Sequence, residues 1–434
     1  MQHGSTTGMY QNISMAGIGF NIAIDAVLKA SGLTIPSIIV IPHLNLELGG
    51  SLMNVPVSYK TYGTLSPSGD NAIVICHALS GNAEVGVWWR ALLEYGAGAA
   101  IDTTKYFVVC MNCLGSPYGT ASPLTHKNGD PTLGPYGPDF PLSTIRDDVR
   151  LFRLTLDTLG VKQIVSVVGG SMGGMHVMEF AYFGPEYVRS IVPIATSASY
   201  SAWGIGWGEM QRQCIYSDTR FHNGSYDQDD PPVTGLAAAR MAAMLSYRSQ
   251  KSFQARFGRK PNDRTINIPD LKQSGQSLLS VQSYLLYQGK KFIDRFDANC
   301  YIALTHKLDT HDVSRGRCDT IQESLALVKQ PALILSIRSD VLFTPEEQLQ
   351  LHQGIPRSVH HEIISDDGHD GFLLQTDQIN TFLFDFLQSL EAKDERPPTA
   401  PGDSFGVWDT VWNSAIGGAA WLASTLNPNG GKAY

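Results

Sequence analysis

Cysteine is scarce in this chain, with six in 434 residues, too few and too scattered for a disulfide scaffold. Positive charge is also in deficit: Lys+Arg 32 against Asp+Glu 40, a formal net charge of −8. No basic cluster offsets it, which excludes the cationic stripe that grips nucleic acid or an anionic membrane. No window reaches the roughly 18 uncharged apolar residues of a spanning helix, so no membrane insertion is expected. The first 24 residues carry no charge and so no basic n-region, and Asp25 and Lys29 interrupt the apolar stretch that follows. The terminal Gly431-Lys-Ala-Tyr is not a peroxisomal address, and the expected compartment is the cytosol. Internal repeats and long low-complexity tracts are lacking as well.

What remains is an ordinary globular composition, 43% hydrophobic and 17% charged, with Gly 42 and Pro 23 for turns, in a chain long enough for a substantial core. Between about 46 and 200, short continuous apolar runs alternate with helical segments: Asn71–Cys76, Tyr106–Met111 and Gln163–Val168. Such runs are strands buried on both faces, as in a parallel sheet covered by helices. Residues 143–159 carry apolar side chains at helical spacing, with Ser143 and an acidic pair as the start and Gly160 as the stop. Cys110 and Cys113 form a C-x-x-C, but the run they occupy reads as a strand, which makes them buried thiols rather than a redox or zinc pair. From 201 to 325 strand signals vanish and helical stretches such as Gly235–Leu245 take over; Pro331–Ile337 and Val359–Ile364 then restore the strands. The organisation expected is an N-terminal segment 1–45, an α/β core from 46–200 and 326–390, and a helical lid at 201–325. A linker and an amphipathic extension at 391–434 complete it, with Trp408, Val411, Trp412 and Ile416 on one face.

The chemistry is concentrated at Gly169-Gly170-Ser171-Met172-Gly173, a G-x-S-x-G between a strand and a helix. A nucleophile on so sharp a turn has strained backbone, and its neighbours must be small for strand and helix to approach. The segment lacks the G-K-[ST] ending of a phosphate loop, and Gly17-Ile-Gly19-Phe-Asn-Ile22 lacks the third glycine of a dinucleotide fingerprint. A serine hydroxyl needs a base, and the base a carboxylate to orient it. Among twelve histidines, His369 follows the last predicted strand and Asp340 follows the one before. Ser171, Asp340 and His369 therefore stand in the order Ser…Asp…His, each past a strand end. Asp366 and Asp367 lie too close along the chain to His369 to be preferred. His360 and His361 fall inside a strand, one buried and one facing a helix; His176 lies either on the pocket or in helix packing. His306 and His311 are five apart, the wrong spacing for ligands on one helix face, and no metal is expected. An oxyanion hole needs two backbone N–H groups, here from Met172 and from the loop after Cys76, with Leu79 as donor and His77 structural.

These motifs, with Cys76-His-Ala-Leu-Ser-Gly-Asn-Ala, Trp88-Trp89, Asn112-Cys-Leu-Gly-Ser-Pro-Tyr-Gly-Thr, Tyr136-Gly-Pro-Asp-Phe-Pro, Glu209-Met-Gln-Arg-Gln and Gly368-His-Asp, span about residues 45–390. Together they resemble the homoserine O-acetyltransferase family of α/β-hydrolase-fold acyltransferases. Phe296-Asp-Ala-Asn-Cys-Tyr and Leu308-Asp-Thr-His-Asp-Val are similar to its fungal branch, which includes the deacetylcephalosporin-C acetyltransferase type. The resemblance implies an α/β-hydrolase fold and a ping-pong reaction. Acetyl-CoA, a substrate rather than a resident cofactor, would acetylate Ser171, and a small-molecule alcohol would collect the acetyl group. It further implies that Arg212 and Asp370 hold the carboxylate and amine of homoserine, and that the chain pairs as a homodimer through the lid. No residue is assigned to CoA binding. Ser199 stands where relatives have Arg, and Gly96-Ala-Gly-Ala-Ala replaces Gly-Pro-Gly-Lys. The acceptor thus stays open between L-homoserine and a secondary-metabolite alcohol, and a serine esterase or thioesterase with the same triad is the alternative.

Overall fold

The computed structural model describes residues 37–93, 98–261 and 279–394. The stripe at Trp408–Ile416, the first two residues of the Gly96–Ala100 stretch and most of the 1–45 segment lie outside them. The strands are β1 (Ser37–Asn45), β2 (Ser51–Tyr62), β3 (Ala72–Cys76), β4 (Phe107–Met111), β5 (Ile164–Gly170), β6 (Ile191–Ile194), β7 (Ala332–Ile337) and β8 (Ser358–Ile363). They form one eight-stranded sheet in the order β1-β2-β4-β3-β5-β6-β7-β8. The pairs β1–β2 and β2–β4 are antiparallel, and the other five are parallel. Every residue of β3, β4, β5, β6 and β7 is buried, as expected of parallel strands covered on both faces.

The described α-helices are α1 (Val85–Trp88), α2 (Ile145–Leu159), α3 (Met172–Ala181), α4 (Ala202–Tyr216), α5 (Val233–Tyr247), α6 (Gln250–Arg256), α7 (Ser280–Ile293), α8 (Ala298–Asp309), α9 (Ile321–Ala326), α10 (Pro345–Gly354), α11 (Gly371–Leu374) and α12 (Thr376–Asp394). Helix α2 starts one residue later than the sequence suggested. Thr144, not Ser143, is the cap: its hydroxyl accepts from the Asp147 N–H while Asp147 accepts from the Thr144 N–H. That reciprocal pair satisfies two orphan donors at once. Gly160 ends the helix in the left-handed conformation at φ 88°.

Helices α4 to α9 all fall between β6 and β7, so the sheet is interrupted by a helical insertion and then resumed. The fold leaves Ser171 just past β5, Asp340 just past β7 and His369 just past β8, each at a carboxyl end. Strands β5, β7 and β8 run parallel within the sheet, so these three ends lie on one rim of it.

Candidate active site

The turn at Ser171 is built by close backbone approach. Ser171 has φ 60° and ψ −127°, a conformation that costs a non-glycine residue about 1–3 kcal/mol. Its N–H donates to the Ile194 carbonyl at 3.0 Å, and its own carbonyl accepts from the Thr196 hydroxyl at 2.9 Å. The glycines around it have no room for a side chain. A Cβ on Gly173 would lie 2.1 Å from the Cys76 carbonyl oxygen, and one on Gly174 2.5 Å from Thr196. A Cβ on Gly170 would lie 2.5 Å from the Phe372 ring. Helix α3 therefore starts directly over the end of β3, with its unsatisfied N–H groups beside the serine.

His369 and Asp340 meet. The His369 Nδ1 lies 2.7 Å from Asp340 Oδ2, and the other carboxylate oxygen accepts from the Leu342 and Phe343 N–H groups at 2.9 and 3.0 Å. An Asp340 carboxylate that already accepts two backbone N–H groups suits an Nδ1–H donor, the tautomer in which Nε2 is the acceptor. That Nε2 is buried and has no hydrogen-bond partner among the described residues. The imidazole is wedged between rings, stacked on Phe343 at 5.1 Å and edge-on to Phe372 at 5.2 Å. Phe372 thus touches both the serine turn and the histidine. Asp366 and Asp367 are engaged elsewhere, by Lys251 and Arg248.

The two backbone N–H groups expected for an oxyanion hole sit at a helix start and in a tight turn. Met172 opens α3, and Leu79 is the first central residue of a turn closed by the Gly81 N–H donating to the Ala78 carbonyl at 2.8 Å. On α4, Arg212 is 2% exposed and paired with Asp309 at 2.8 Å and Glu209 at 2.9 Å. Its Nη1 nonetheless has no partner among the described residues, nor does Asp309 Oδ1. Asp370 sits 3.5 Å from Arg248; burial pushes its carboxyl above the ordinary value, against the pull of His369 and Arg248.

Residues 71–376 match the family described as alpha/beta hydrolase fold. The chain is 54% identical over 373 residues to "Homoserine O-acetyltransferase FUB5" of Gibberella fujikuroi, covering 81% of this chain and 87% of that protein. It is 43% identical over 445 residues to the homoserine O-acetyltransferase of Saccharomyces cerevisiae, covering 86% and 90%. The chain belongs to the homoserine O-acetyltransferase family. Among solved structures, the homoserine O-acetyltransferase of Staphylococcus aureus is 28% identical with a TM-score of 0.64, over 81% of this chain and 94% of that one. Esterase E22 is 25% identical with a TM-score of 0.69, over 80% and 98%. This homoserine O-acetyltransferase-family chain is therefore an acyltransferase on the α/β-hydrolase fold.

The remaining histidines sort themselves by burial. His176 is fully buried, with Nε2 2.8 Å from Asp148, which settles it in packing. His77 lies against Cys113, whose N–H is 3.3 Å from its Nε2. His311 faces the Ser197 carbonyl at 3.0 Å. His360 and His361 are both half-buried rather than divided: His360 meets the Ser336 hydroxyl at 2.7 Å and His361 stacks on Phe382 at 4.6 Å. Cys113 lies past the end of β4 rather than within it. Its sulfur, Asp148 and His176 place ligand-type atoms within 4.8 Å of one another. The Lys307 ammonium, 2.6 Å from Asp148 and fully buried, already supplies the positive charge there. Sequence reasoning missed this ion pair, because nothing in one chain's pattern says that Lys307 and Asp148 meet. It also missed Phe343 and Phe372, and the arginines that the insertion sends toward the site.

Proposed function

We propose that this chain transfers an acetyl group from acetyl-CoA to the hydroxyl of L-homoserine through an acetyl-Ser171 intermediate. Ser171 Oγ attacks the thioester carbonyl while His369 Nε2 takes its proton. The tetrahedral oxyanion is held by the Leu79 and Met172 N–H groups, then collapses and expels CoA, whose sulfur receives that proton. The acceptor hydroxyl gives its proton to the same nitrogen, attacks the acetyl-enzyme and restores free Ser171. Asp340 holds the tautomer and stabilises the imidazolium.

The observation that carries the reading is His369: one ring nitrogen is fixed on Asp340 and the other is buried with no partner among the described residues. That is a base with its proton-accepting face free. Support for homoserine comes from Arg212, whose buried Nη1 has no partner among the described residues and matches a carboxylate, and from Asp370, which offers a carboxylate to an amine. Relatives named homoserine O-acetyltransferase, at 54% and 43% identity, favour the same acceptor over another alcohol. The insertion at 201–325 serves as a lid that excludes water from the acetyl-enzyme. Its exposed Trp203, Met210 and Leu245 suit a homodimer, which light scattering would test.

Hydrolysis is the second reading, favoured by the likeness to esterase E22. The decisive experiment measures CoA release from acetyl-CoA with and without L-homoserine, alongside mass spectrometry of the intact protein. Homoserine-stimulated release with an acetylated Ser171 is expected. An acetyl-enzyme that homoserine cannot discharge moves the acceptor to another alcohol. Release that is fast without any acceptor makes the chain an esterase or thioesterase.

A further inference from the structure

The turn that carries Leu79 is held by side chains from the helical insertion. Arg295, in the link between α7 and α8, donates from Nη1 to the Ser80 carbonyl at 3.0 Å and to the Tyr118 hydroxyl at 2.6 Å. Arg240 of α5 reaches the Ser80 hydroxyl at 3.4 Å. Both guanidinium carbons lie about one ring's contact distance from Phe292, at 5.0 Å for Arg295 and 4.9 Å for Arg240. The other flank of the loop is tied down by the core. Asn112 accepts from the Ala83 N–H at 2.9 Å and donates to the Tyr118 carbonyl at 3.0 Å. The Tyr118 side chain is fully buried and so gives Arg295 a fixed stop.

We propose that Arg295 is a positioning residue for the oxyanion hole: it fixes the Ser80 carbonyl, and with it the plane of the 78–81 turn, so that the Leu79 N–H points at the developing oxyanion. The Leu79 N–H belongs to the Ala78–Leu79 peptide, whose carbonyl accepts from the Gly81 N–H at 2.8 Å. The Gly81 N–H shares its peptide with the Ser80 carbonyl, so a bond to the Ser80 carbonyl steadies the donor that orients the Leu79 peptide. Arg295 supplies a charge-assisted one. Because the arginine sits on the insertion and the turn on the core, the oxyanion hole is complete only when the insertion is seated. The inference rests on the Ser171 nucleophile and the Leu79 donor proposed above.

The test uses the full chain as Arg295→Met, Arg295→Lys and, in parallel, Ser171→Ala. An alkyl boronic acid serves as the probe, since it forms a tetrahedral anion on a serine hydroxyl. Arg295→Met should lower kcat by roughly 10–100-fold and weaken the boronate by a similar factor, with KM for homoserine and the melting temperature little changed. Arg295→Lys, which keeps one donor, should recover part of both. Arg295→Met with unaltered kcat and boronate affinity overturns the inference while Ser171→Ala stays inactive. So does a loss confined to melting temperature or to KM, or a lysine variant no better than methionine. If Ser171→Ala still turns over and binds boronate, the nucleophile reading itself fails and the inference goes with it.

Discussion

Lys307 offers a perturbation whose size follows from its surroundings. Its ammonium lies 2.6 Å from Asp148 Oδ2 and 2.7 Å from the Leu114 carbonyl. Asp148 also accepts from the Leu114 N–H at 2.9 Å and meets His176 at 2.8 Å, and the Lys307, Asp148 and His176 side chains are all fully buried. The cluster joins helix α2, helix α3, the segment after β4 and helix α8 of the insertion. Lys307→Met keeps the volume but strands a buried carboxylate, at a cost of about 3–5 kcal/mol. For a chain of this size that is a fall in melting temperature of about 3–6 °C. Asp148→Asn alone strands the ammonium and should cost a similar amount. The double variant buries no net charge, and its loss should fall short of the sum by about 2 kcal/mol or more.

The pH dependence has a definite sign. Burial raises the Asp148 pKa, but Lys307 and His176 outweigh it and leave the carboxyl below its ordinary value. Its contribution in the wild type is therefore present above the unfolded value and lost as pH falls. In Lys307→Met burial is less opposed and the pKa rises. The variant's deficit is then largest near neutral pH and shrinks in acid. Urea melts of the four proteins at neutral and acidic pH measure all of this. A strictly additive cycle, or a single variant within about 1 kcal/mol of wild type, would refute the reasoning.

Other outcomes follow from the site and its frame. Asp340→Asn keeps an oxygen for the Leu342 and Phe343 N–H groups but turns an amide toward His369. Turnover should fall roughly 10³–10⁴-fold with the fold intact, and a steady-state rate within tenfold of wild type contradicts it. Gly173→Ala places a methyl 2.1 Å from the Cys76 carbonyl, and the expected result is little soluble, active protein; a wild-type melting curve would show that the elbow has slack. Burial lowers His77 and His311 to about 4, so each stays neutral in the fold while the unfolded chain takes up a proton. Their contribution is complete above the unfolded pKa of about 6.5 and is lost as pH falls toward 4, amounting to about 2 kcal/mol each by pH 5. His311→Gln should flatten that slope in denaturant titrations at pH 7 and 5, and an unchanged slope assigns it to other groups.

The inner strands were legible because parallel strands covered on both faces must be continuously apolar. Asn71–Cys76, Tyr106–Met111, Pro331–Ile337 and Val359–Ile364 each differ from β3, β4, β7 and β8 by one residue at one or both ends. Strands β1 and β2 escaped notice. They are antiparallel and half-exposed; the one apolar run, Ile38–Ile41, is cut short by Pro42, and Pro56 interrupts β2, so no sustained run or alternation marks them. The Ser171 turn was legible for a local reason, since a strand, four glycines and a helix start lie within one short segment. Asp340 and His369 were legible from their places after strands. Which atoms meet was a tertiary matter. That His369 binds Asp340 rather than Asp366 or Asp367, and that Phe372 touches both the serine turn and the histidine, depends on how loops from separate strands pack. So does the meeting of Lys307 with Asp148, 159 residues away. A one-dimensional pattern records which residues are buried and in what period. It does not record which buried charge finds its partner, because that pairing is decided only when distant elements close around it.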